Sequence, residues 1–512
     1  MDVLSMLGQG FLTILMPGNL IYLVGGVALG LIMGAIPGLT ATMAIALLVP
    51  LTLYLSPTQA ITMLLGAFNG GTFGGSIAAI LLATPGTPAA SATVGDGYAM
   101  ARQGKAGKAI KTALVSSVFG CLTACVLLVL IAEPVAQYAL QFGAAEYTIL
   151  MLFALTIIAS ASGDSMVKGL MAGAVGLLFG VIGMDPVETI PRLTFGALKL
   201  SSGIDIVTML IGSLALSEIL VQIESFHKRK QGALLPPPSC PDDDKFTRKD
   251  FKRTWKTMLR SALLGSGIGA LPGLGSSLAA WVGYDAAKRA SKHPEEFGKG
   301  SIEGIAGAEA ANNAVCGSNM IPLLTLGIPG DVVAALIIGA FMLQGLTPGP
   351  MIFREAAQDV YNIYAGVMVS NIVMAIITLL TVKLFTKISK LQPNVVLPCV
   401  CMFCIVGVYA LNSSLFDVGI MLAFAVIGYF LQKFHFPPAC MLVGFILSPM
   451  LEKYFRTAMQ MSRGSVSIFF KNPLDWVLWV ITAVSLFTIL RGKYKRYKAA
   501  KAAEKAAEAP AE

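Results

Sequence analysis

Small hydroxyl and amide side chains cluster beside Pro-Gly dipeptides that lie inside apolar segments of the sequence. Hydrocarbon cannot satisfy the backbone groups that such a break frees, so breaks are tolerated where they are buried in protein or line a wet cavity. The N-terminus of a broken helix presents N–H groups and partial positive charge that suit a carboxylate. The residues predicted to bind an organic anion in this way are Asn69, Thr72, Ser76, Thr84, Gly86, Thr87, Asn312, Asn313, Ser318 and Gly330.

A second group of residues at the same breaks has the chemistry to hold a cation, because unwound carbonyls suit Na⁺. An acid in an apolar stretch is costly and is a functional candidate by default, and Asp331 directly follows a Pro-Gly dipeptide. Asp331 is equally well placed to cap a helix that begins near Val332. The predicted coupling-ion residues are Gly38, Thr40, Gly273, Ser276 and Asp331.

Three other acids lie in or beside apolar segments. Asp96 stands between two glycines, a pattern more typical of a turn residue at the border of a cytoplasmic loop. Glu303 and Glu309 have two interpretations, since each either faces a cavity or ends a helix near the surface. The small and polar run 308–313 favours a wet lining over lipid contact.

The sequence around these breaks occurs twice. The segment 34–40 returns as 269–275, and 69–86 aligns without gaps with 313–330. Loops that follow equivalent breaks carry opposite excesses of Lys and Arg, so the positive-inside rule predicts that the halves insert in opposite senses. Inverted repeats are typical of secondary transporters, whose binding sites lie where broken helices meet. The alternative is two kinked helix pairs that resemble each other by chance or through packing.

The elements that must position these residues belong to a membrane protein. Of the 512 residues, 55% are hydrophobic and only 13% are charged, and the mean hydropathy is +0.75. An average soluble domain is about one quarter charged. Successive apolar segments predict an all-α polytopic membrane protein with about 12–14 membrane segments. Several segments are short or contain Gly and Pro, so the fold should include re-entrant or broken helices and two inverted-topology repeats.

A long polar stretch, 224–256, divides the chain. The predicted parts are a first membrane half (1–223), this linker, a second membrane half (257–490) and a tail (491–512). The net charge is +9, and the basic clusters of the linker and the tail place both in the cytoplasm. The N-terminus lacks the basic region of a cleavable signal, so the first apolar segment should be retained.

Other classes of function find less support in the residues. No P-loop is present, which argues against ATP-driven transport by this chain alone. The eight Cys form no metal-ligand pattern, and the basic clusters lack the interleaved aromatics of a nucleic-acid surface. A membrane-embedded enzyme would need a converging catalytic set, but the three His lie far apart in sequence. A channel or scaffold is the other alternative, although it would not need two matched helix breaks.

Several motifs together resemble the large membrane subunit of the tripartite tricarboxylate transporters, the TctA family. The resemblance covers most of the chain, from residue 10 to residue 490. The motifs are Gly34-Ala-Ile-Pro-Gly-Leu-Thr40, Ala83-Thr-Pro-Gly-Thr-Pro-Ala-Ala90, Gly95-Asp-Gly-Tyr98, Gly269-Ala-Leu-Pro-Gly-Leu-Gly275, Gly307-Ala-Glu-Ala-Ala-Asn-Asn313 and Gly327-Ile-Pro-Gly-Asp331.

The resemblance implies a bacterial inner-membrane permease that is not an enzyme and needs no cofactor. It implies a small four-helix membrane partner of the TctB type and a periplasmic binding protein of the TctC type, which delivers the substrate. It leaves room for a homodimer of the complex. The implied substrates are tricarboxylates such as citrate and related organic acids, taken up with Na⁺ or H⁺. An elevator-like movement of the repeat core fits this pattern.

The residues add a physical reason for a coupling cation. The repeat segments contain no Lys or Arg, so an anion there would be held by N–H groups, hydroxyls, amides and bound cations. A bound Na⁺ would offset the charge of a carboxylate inside the membrane, where an uncompensated charge is costly. Na⁺ is therefore the expected coupling ion, and no other metal is expected.

Overall fold

Helices dominate the computed structural model of the chain. It describes residues 3–36, 38–161, 165–185, 188, 190–225, 244–388, 393–487 and 491. Among these residues the strands are confined to one short antiparallel pair, β1 (Gly183–Met184) and β2 (Pro191–Arg192). The prediction of an all-α polytopic membrane protein is confirmed. Pro37, most of the predicted linker (226–243) and the predicted tail after Arg491 lie outside the described residues.

The helices fall on both sides of the predicted linker. Before it they are α1 (Val3–Leu15), α2 (Pro17–Ala35), α3 (Ala41–Leu48), α4 (Pro57–Leu82), α5 (Ser91–Arg102), α6 (Ala106–Ala139), α7 (Ala144–Ala161), α8 (Met166–Gly180), α9 (Ile206–Leu210) and, after a π-helical turn (Ile211–Leu216), α10 (Ser217–Ser225). After it they are α11 (Arg248–Gly269), α12 (Gly275–Ala290), α13 (Ile302–Ser318), α14 (Met320–Leu326), α15 (Val332–Leu343), α16 (Ile352–Glu355), α17 (Ala357–Ile388), α18 (Pro393–Asn412), α19 (Leu415–Lys433), α20 (Pro438–Met461) and α21 (Pro473–Phe487). Short 3₁₀ helices occur at Val49–Tyr54, Leu198–Ser202, Pro294–Glu296 and Val466–Phe470.

The chain packs as two units. The first comprises Met1–Gln141 and Ile204–Pro438, and the second comprises Phe142–Gly203 and Ala439–Glu512. Each unit therefore takes residues from both sides of the predicted linker. The predicted division into halves is a division along the sequence, and it stays a prediction.

Both long and short apolar helices occur along the described chain. The shorter ones include α3 and α15, which directly follow helix breaks. This mixture is expected when some membrane segments are broken, and the total of about 12–14 segments stays a prediction. The six runs that are long and apolar enough to cross a membrane are Pro17–Ala35, Pro57–Leu82, Ala106–Ala139, Ile206–Glu224, Ala357–Val382 and Leu415–Lys433.

Helices α2 and α4 pack backbone to backbone. Each carries glycine at every fourth residue, which places the glycines on one helix face. A Cβ atom at any of them would overlap the backbone of the other helix. Membrane helices associate closely through such small-residue faces. The glycines are Gly26, Gly30 and Gly34 of α2 and Gly66, Gly70 and Gly74 of α4.

Helices α4 and α13 lie in the interior of the first unit. A capping box between Ser56 and Gln59 begins α4, and the Ser301 hydroxyl caps α13. Every residue of α13 is buried, because α6, α11 and α12 surround it. The polar side chains of α13, and those of α4 from Thr62 onward, are therefore buried among other helices.

The second unit contains α7, α8, α20 and α21. Ion pairs attach its β1–β2 hairpin to α20. Oδ2 of the buried Asp185 lies 2.6 Å from Nη1 of Arg456 in α20 and 3.4 Å from Nη1 of Arg192 in β2. A hydrogen bond from Arg192 to Glu452 raises the pKa of this guanidinium above its ordinary value. Because the acids and guanidinium groups pair with one another, we interpret this cluster as structural.

Candidate functional site

At the first helix break, the chain folds back between α2 and α4. Helix α4 ends at Leu82, and the next residue, Ala83, has a left-handed φ of 55°. The Gly86 N–H donates a hydrogen bond to the Gly75 carbonyl at 3.2 Å. A Cβ at Gly86 would overlap the Gly34 carbonyl, and a Cβ at Gly75 would lie 2.7 Å from the Thr87 hydroxyl. The structure therefore brings Gly86 and Thr87 together with the glycine faces of both helices.

The turn between α2 and α3 contributes two of the predicted coupling-ion residues. Gly38 has a φ of 92°, which favours glycine, and its carbonyl accepts a hydrogen bond from the Gln222 amide. The Thr40 hydroxyl caps α3 by accepting a hydrogen bond from the Met43 N–H at 3.3 Å. Both residues are partly exposed and are held by neighbouring elements.

At the second break, the turn that follows α11 contacts the turn that follows α14. The Gly273 N–H donates a hydrogen bond to the Gly330 carbonyl at 2.7 Å. Asp331 caps α15 by accepting a hydrogen bond from the Ala334 N–H at 2.8 Å. A Cβ at Gly275 would lie 3.7 Å from the Asp331 Cβ, so this acid lies beside the start of α12. Ser276 is in the first turn of α12 and is partly exposed.

The two breaks are built in the same way. A Cβ at Gly330 would lie 3.3 Å from the Gly269 carbonyl, and Gly269 is aligned with the Gly34 that contacts Gly86. Asn319 lies beside Gly330, at the position that the alignment gives to Gly75. The repeated sequence therefore has a repeated local structure.

The aligned residues of α4 and α13 make reciprocal contacts. The Asn69 amide donates hydrogen bonds to the Ser370 hydroxyl (2.6 Å) and the Val367 carbonyl (3.2 Å) of α17. The Asn313 amide donates to the Ser117 hydroxyl of α6 at 2.8 Å. Each asparagine thus binds a serine on a helix from the other side of the linker. Both asparagines were predicted from the sequence as site residues, whereas nothing in the sequence distinguishes the two serines.

Thr72 contacts its own aligned partner. The Cys316 thiol lies 3.7 Å from the Thr72 hydroxyl, and the alignment that pairs Asn69 with Asn313 also pairs Thr72 with Cys316. Helices α4 and α13 therefore meet at positions that are equivalent in the sequence alignment.

The remaining predicted anion-binding residues differ in exposure. The Ser76 hydroxyl and both polar atoms of the Asn312 amide are buried without a hydrogen-bond partner in the described part of the chain. Ser318 is buried and donates to the Ala314 carbonyl of its own helix at 3.0 Å. Thr84 is exposed on the loop after α4, so it does not share the buried environment of the other residues.

The expectation that Asp96 is a turn residue is wrong. Asp96 lies within α5 and is completely buried. One carboxylate oxygen accepts hydrogen bonds from the N–H groups of Gly298, Gly300 and Ser301 at 2.7–2.9 Å, and the other accepts one from the Tyr284 hydroxyl. The adjacent glycines suggested a turn, but Gly97 lies within the helix, where a Cβ would be 2.7 Å from the Ile80 side chain of α4.

Glu303 and Glu309 have different environments although both belong to α13. Glu303, in the first turn, accepts a hydrogen bond from Ser291 and lies 3.5 Å from the Arg253 guanidinium. Glu309 lies in the middle of the helix and is completely buried, so the helix-end interpretation is wrong for it. Thr93 of α5 donates a hydrogen bond to Glu309, which the sequence alone could not indicate. Among the described residues, no group of three or more His, Cys, Asp or Glu is arranged to hold a metal.

Comparison with known proteins identifies the family. The profile of the tripartite tricarboxylate transporter TctA family matches residues 20–443. An Agrobacterium vitis protein, described as an uncharacterized 52.8 kDa protein in the TAR-I ttuC' 3' region, is 39% identical over 497 residues, covering 96% of this chain and 98% of that protein. A second protein of the same species, described as an uncharacterized protein in the TAR-II ttuC' 3' region, is 41% identical over 210 residues, covering 41% of this chain and 87% of that protein. No solved structure matches the chain. The chain therefore belongs to the TctA family and is a membrane subunit of a tricarboxylate transporter.

Proposed function

We propose that this chain is the permease of a binding-protein-dependent secondary transporter, which takes up tricarboxylates or related organic acids by symport with Na⁺ or H⁺. The observation that carries the proposal is the matched pair of helix breaks in the first unit of a TctA-family chain. Binding sites of secondary transporters are typically formed where broken helices meet.

The substrate carboxylates would be held by backbone N–H groups and neutral polar side chains. The Ser76 hydroxyl and the Asn312 amide are the strongest candidates, because they are buried and have no hydrogen-bond partner in the described residues. A buried polar group without a partner costs about 1–3 kcal/mol. A ligand that hydrogen-bonds to these groups would recover that free energy.

Na⁺ is the favoured coupling ion, and the second break is its proposed site. Gly273 and Asp331, two of the predicted coupling-ion residues, lie there on either side of Gly330 and supply carbonyl and carboxylate oxygens. Hard cations prefer oxygen ligands. The helix-capping role of Asp331 is compatible with this, because an ionised carboxylate accepts several bonds on its two oxygens.

The complete transporter would contain a TctB-type membrane subunit and a TctC-type periplasmic binding protein. It would lie in the bacterial inner membrane, with the central loop and the tail of this chain in the cytoplasm. The two halves would insert in opposite senses, and the repeat core would move as an elevator. The reciprocal hydrogen bonds of Asn69 and Asn313 support the two-fold relation that inverted repeats require.

Uptake of radiolabelled citrate into proteoliposomes tests this function. The liposomes hold this chain with its TctB-type and TctC-type partners, and uptake is measured with and without an inward Na⁺ gradient. We expect accumulation that needs the gradient and all three proteins. Accumulation without any ion gradient would contradict secondary symport. If citrate is not taken up under any gradient, citrate is not the substrate, and the ligands of the binding protein would be screened next.

Two serine variants test the anion site within the same assay. Ser76→Ala removes a buried hydroxyl without a partner, and we expect it to raise the KM for uptake. Ser116→Ala is the matched control, because the buried Ser116 hydroxyl already donates to the Thr112 carbonyl of its own helix at 2.7 Å. An equal effect of both substitutions on KM would move the anion site elsewhere.

A further inference from the structure

We propose that Glu309 is a proton-binding site of this transporter. Its carboxyl group would be protonated when the organic anion binds and would lose the proton after the anion has left. This inference rests on the proposed function and adds a residue that carries H⁺. It is independent of the Na⁺ residues proposed at the second break.

The Glu309 carboxyl group is surrounded by neutral polar groups from four helices. Thr93 of α5 donates a hydrogen bond to Oε1, while Ser117 of α6 and Asn313 of α13 donate to Oε2, each at 3.3 Å. The Ser76 hydroxyl of α4 faces the same carboxyl group but forms no hydrogen bond of normal geometry. All five residues are buried, with exposed fractions of 0% or 1%.

No cationic side chain compensates this acid. In the described part of the chain, the ion pairs of α13 are confined to Glu303 and Arg253, and the groups that interact with Glu309 are uncharged. Burying an ionised carboxylate without a partner is strongly unfavourable. Glu309 therefore requires a proton or a bound cation during at least part of the transport cycle.

The other titratable groups around α13 lie towards its two ends. Asp96 of α5 and Tyr284 of α12 face Gly304, which is about 7–8 Å from Glu309 along the helix at 1.5 Å per residue. Arg253 of α11 faces Glu303. Helices α4 and α14 carry no titratable side chain.

Helix α6 carries further titratable groups, of which Glu133 lies more than four turns beyond Ser117 and accepts a hydrogen bond from Tyr361. Lys108 and Lys111 near its start pair with Asp250 and Asp244. Cys121 lies one turn beyond Ser117, beside Asn69, and Cys316 of α13 contacts Thr72. The other two acids in this set, Asp244 and Asp250, are paired with lysines more than one turn before Ser117, so no acid of the set is placed to share the proton of Glu309.

The donors around Glu309 suit a proton better than Na⁺. The Asn313 side chain turns its NH₂ group towards the carboxyl group, and an NH₂ group offers no lone pair to a metal ion. Hard cations need several oxygen ligands to replace their hydration shell. A proton on Oε1 requires only that the Thr93 hydroxyl change from donor to acceptor, which a hydroxyl does by rotating its hydrogen.

The position of Ser76 explains how the proton would be coupled to the substrate. Ser76 belongs to the proposed anion site and faces Glu309. An organic anion bound there would approach the carboxyl group, and two negative charges in a medium of low dielectric constant repel each other. The anion would therefore bind when Glu309 is protonated, which is the requirement for proton symport.

Infrared titration of the purified chain in lipid nanodiscs tests the site without any substrate. The carboxylic acid C=O band of Glu309 is isolated as the difference between wild type and Glu309→Gln. We expect a band that is present at low pH, disappears as the pH is raised, and is absent from the variant. A Glu309 that stays ionised, or stays protonated, over the whole range would overturn the proposal. So would a carboxylate band that shifts with Na⁺ instead of with pH.

Transport by the complete complex tests the coupling. With citrate as the probe, we expect Glu309→Gln to retain citrate–citrate exchange while it loses accumulation driven by a pH gradient and the accompanying proton influx. Glu303→Gln is the matched control on the same helix, since its carboxylate is paired with Arg253, and it should retain both activities. Proton-coupled accumulation by Glu309→Gln at the wild-type level would overturn the proposal.

A second variant covers the case in which Glu309→Gln does not fold. Thr93→Val removes the hydroxyl that would accept a hydrogen bond from the protonated Glu309 carboxyl group. We expect the carboxylic acid band to remain and the pH midpoint of its titration to shift. An unchanged midpoint would contradict the assigned partner. If the wild-type complex transports no citrate, the proposed substrate fails, but the infrared titration still decides whether Glu309 exchanges a proton.

Discussion

The two helix breaks share a backbone arrangement but differ in their side chains. In the first break Gly86 packs against Gly75, and in the second Gly330 packs against Asn319. The next residue is a threonine in the first break and an acid, Asp331, in the second. One break therefore presents hydroxyls and glycine, and the other presents an amide and a carboxylate.

This difference shows which features of the repeat are fixed by packing. Glycine is required where two backbones approach each other, because a Cβ would overlap the neighbouring chain. The adjacent positions meet no such restriction, so their chemistry can differ between the halves. We infer that the carboxylate of Asp331 makes the second break the cation site, and the Asp331 variant below tests that assignment.

The largest effect is expected for Gly86→Ala. Its Cβ would overlap the Gly34 backbone, whereas the Cβ of Gly330→Ala would overlap the side chain of Asn319, which can rotate away. Overpacking a filled site costs about 1–3 kcal/mol. We expect Gly86→Ala at the upper end of that range and Gly330→Ala at the lower end, measured as the loss of thermal stability in detergent.

The control for these variants is a glycine without neighbours. A Cβ atom at Gly25 of α2 or Gly267 of α11 would have no atom of another element within 4 Å. Replacing either with alanine should leave stability unchanged or raise it by up to about 1 kcal/mol, because alanine favours the helix. Equal losses at Gly86 and Gly25 would show that the close approach at the break does not determine stability.

The next effect is on ion dependence. Asp331→Asn keeps a good N-cap for α15 but removes the charge, so we expect normal stability with a large rise in the Na⁺ concentration for half-maximal uptake. Asp205→Asn is the matched control, because Asp205 caps α9 through the Thr208 N–H at 2.7 Å. If both variants keep the wild-type Na⁺ dependence, Asp331 is only a cap and the cation lies elsewhere.

The sequence was sufficient to locate the breaks and to align them. Pro and Gly inside apolar runs have a local cause, so the turns at Gly38, Gly86, Gly273 and Gly330 could be expected from residue type and spacing. The family resemblance, which the profile match confirms, rests on the same motifs. The tertiary partners of the site could not be predicted in this way.

Contacts between distant helices explain what the sequence could not indicate. Ser117 and Ser370 lie in ordinary apolar helices, and their role depends on which asparagine faces them. Glu309 became distinctive only because Thr93, from the other side of the linker, reaches it. Glycines on both sides of Asp96 suggested a turn, but they lie within helix α5. Glycine is used both in turns and where helices pack closely, so the residue type alone does not distinguish the two.

The smallest effects concern the reciprocal asparagines. Asn69→Ala removes hydrogen bonds to α17, and an interhelical hydrogen bond in a membrane protein contributes about 0.6 kcal/mol on average. Asn313→Ala removes the bond to Ser117 and also a donor to the carboxyl group of Glu309, so we expect it to cost more, about 1–1.5 kcal/mol, at the upper end for hydrogen bonds between neutral groups.

Double-mutant cycles separate the shared contact from the additional one. The coupling between Asn69 and Ser370 should be similar to that between Asn313 and Ser117, because both join an asparagine to a serine across the linker. The excess cost of Asn313→Ala should fall when Glu309→Gln is already present, since glutamine has one acceptor oxygen fewer than the carboxyl group and its NH₂ group cannot accept from Asn313. If the excess persists in that background, the asymmetry arises from packing around α13, and the division of roles between the two halves would have to be sought outside the asparagine pair.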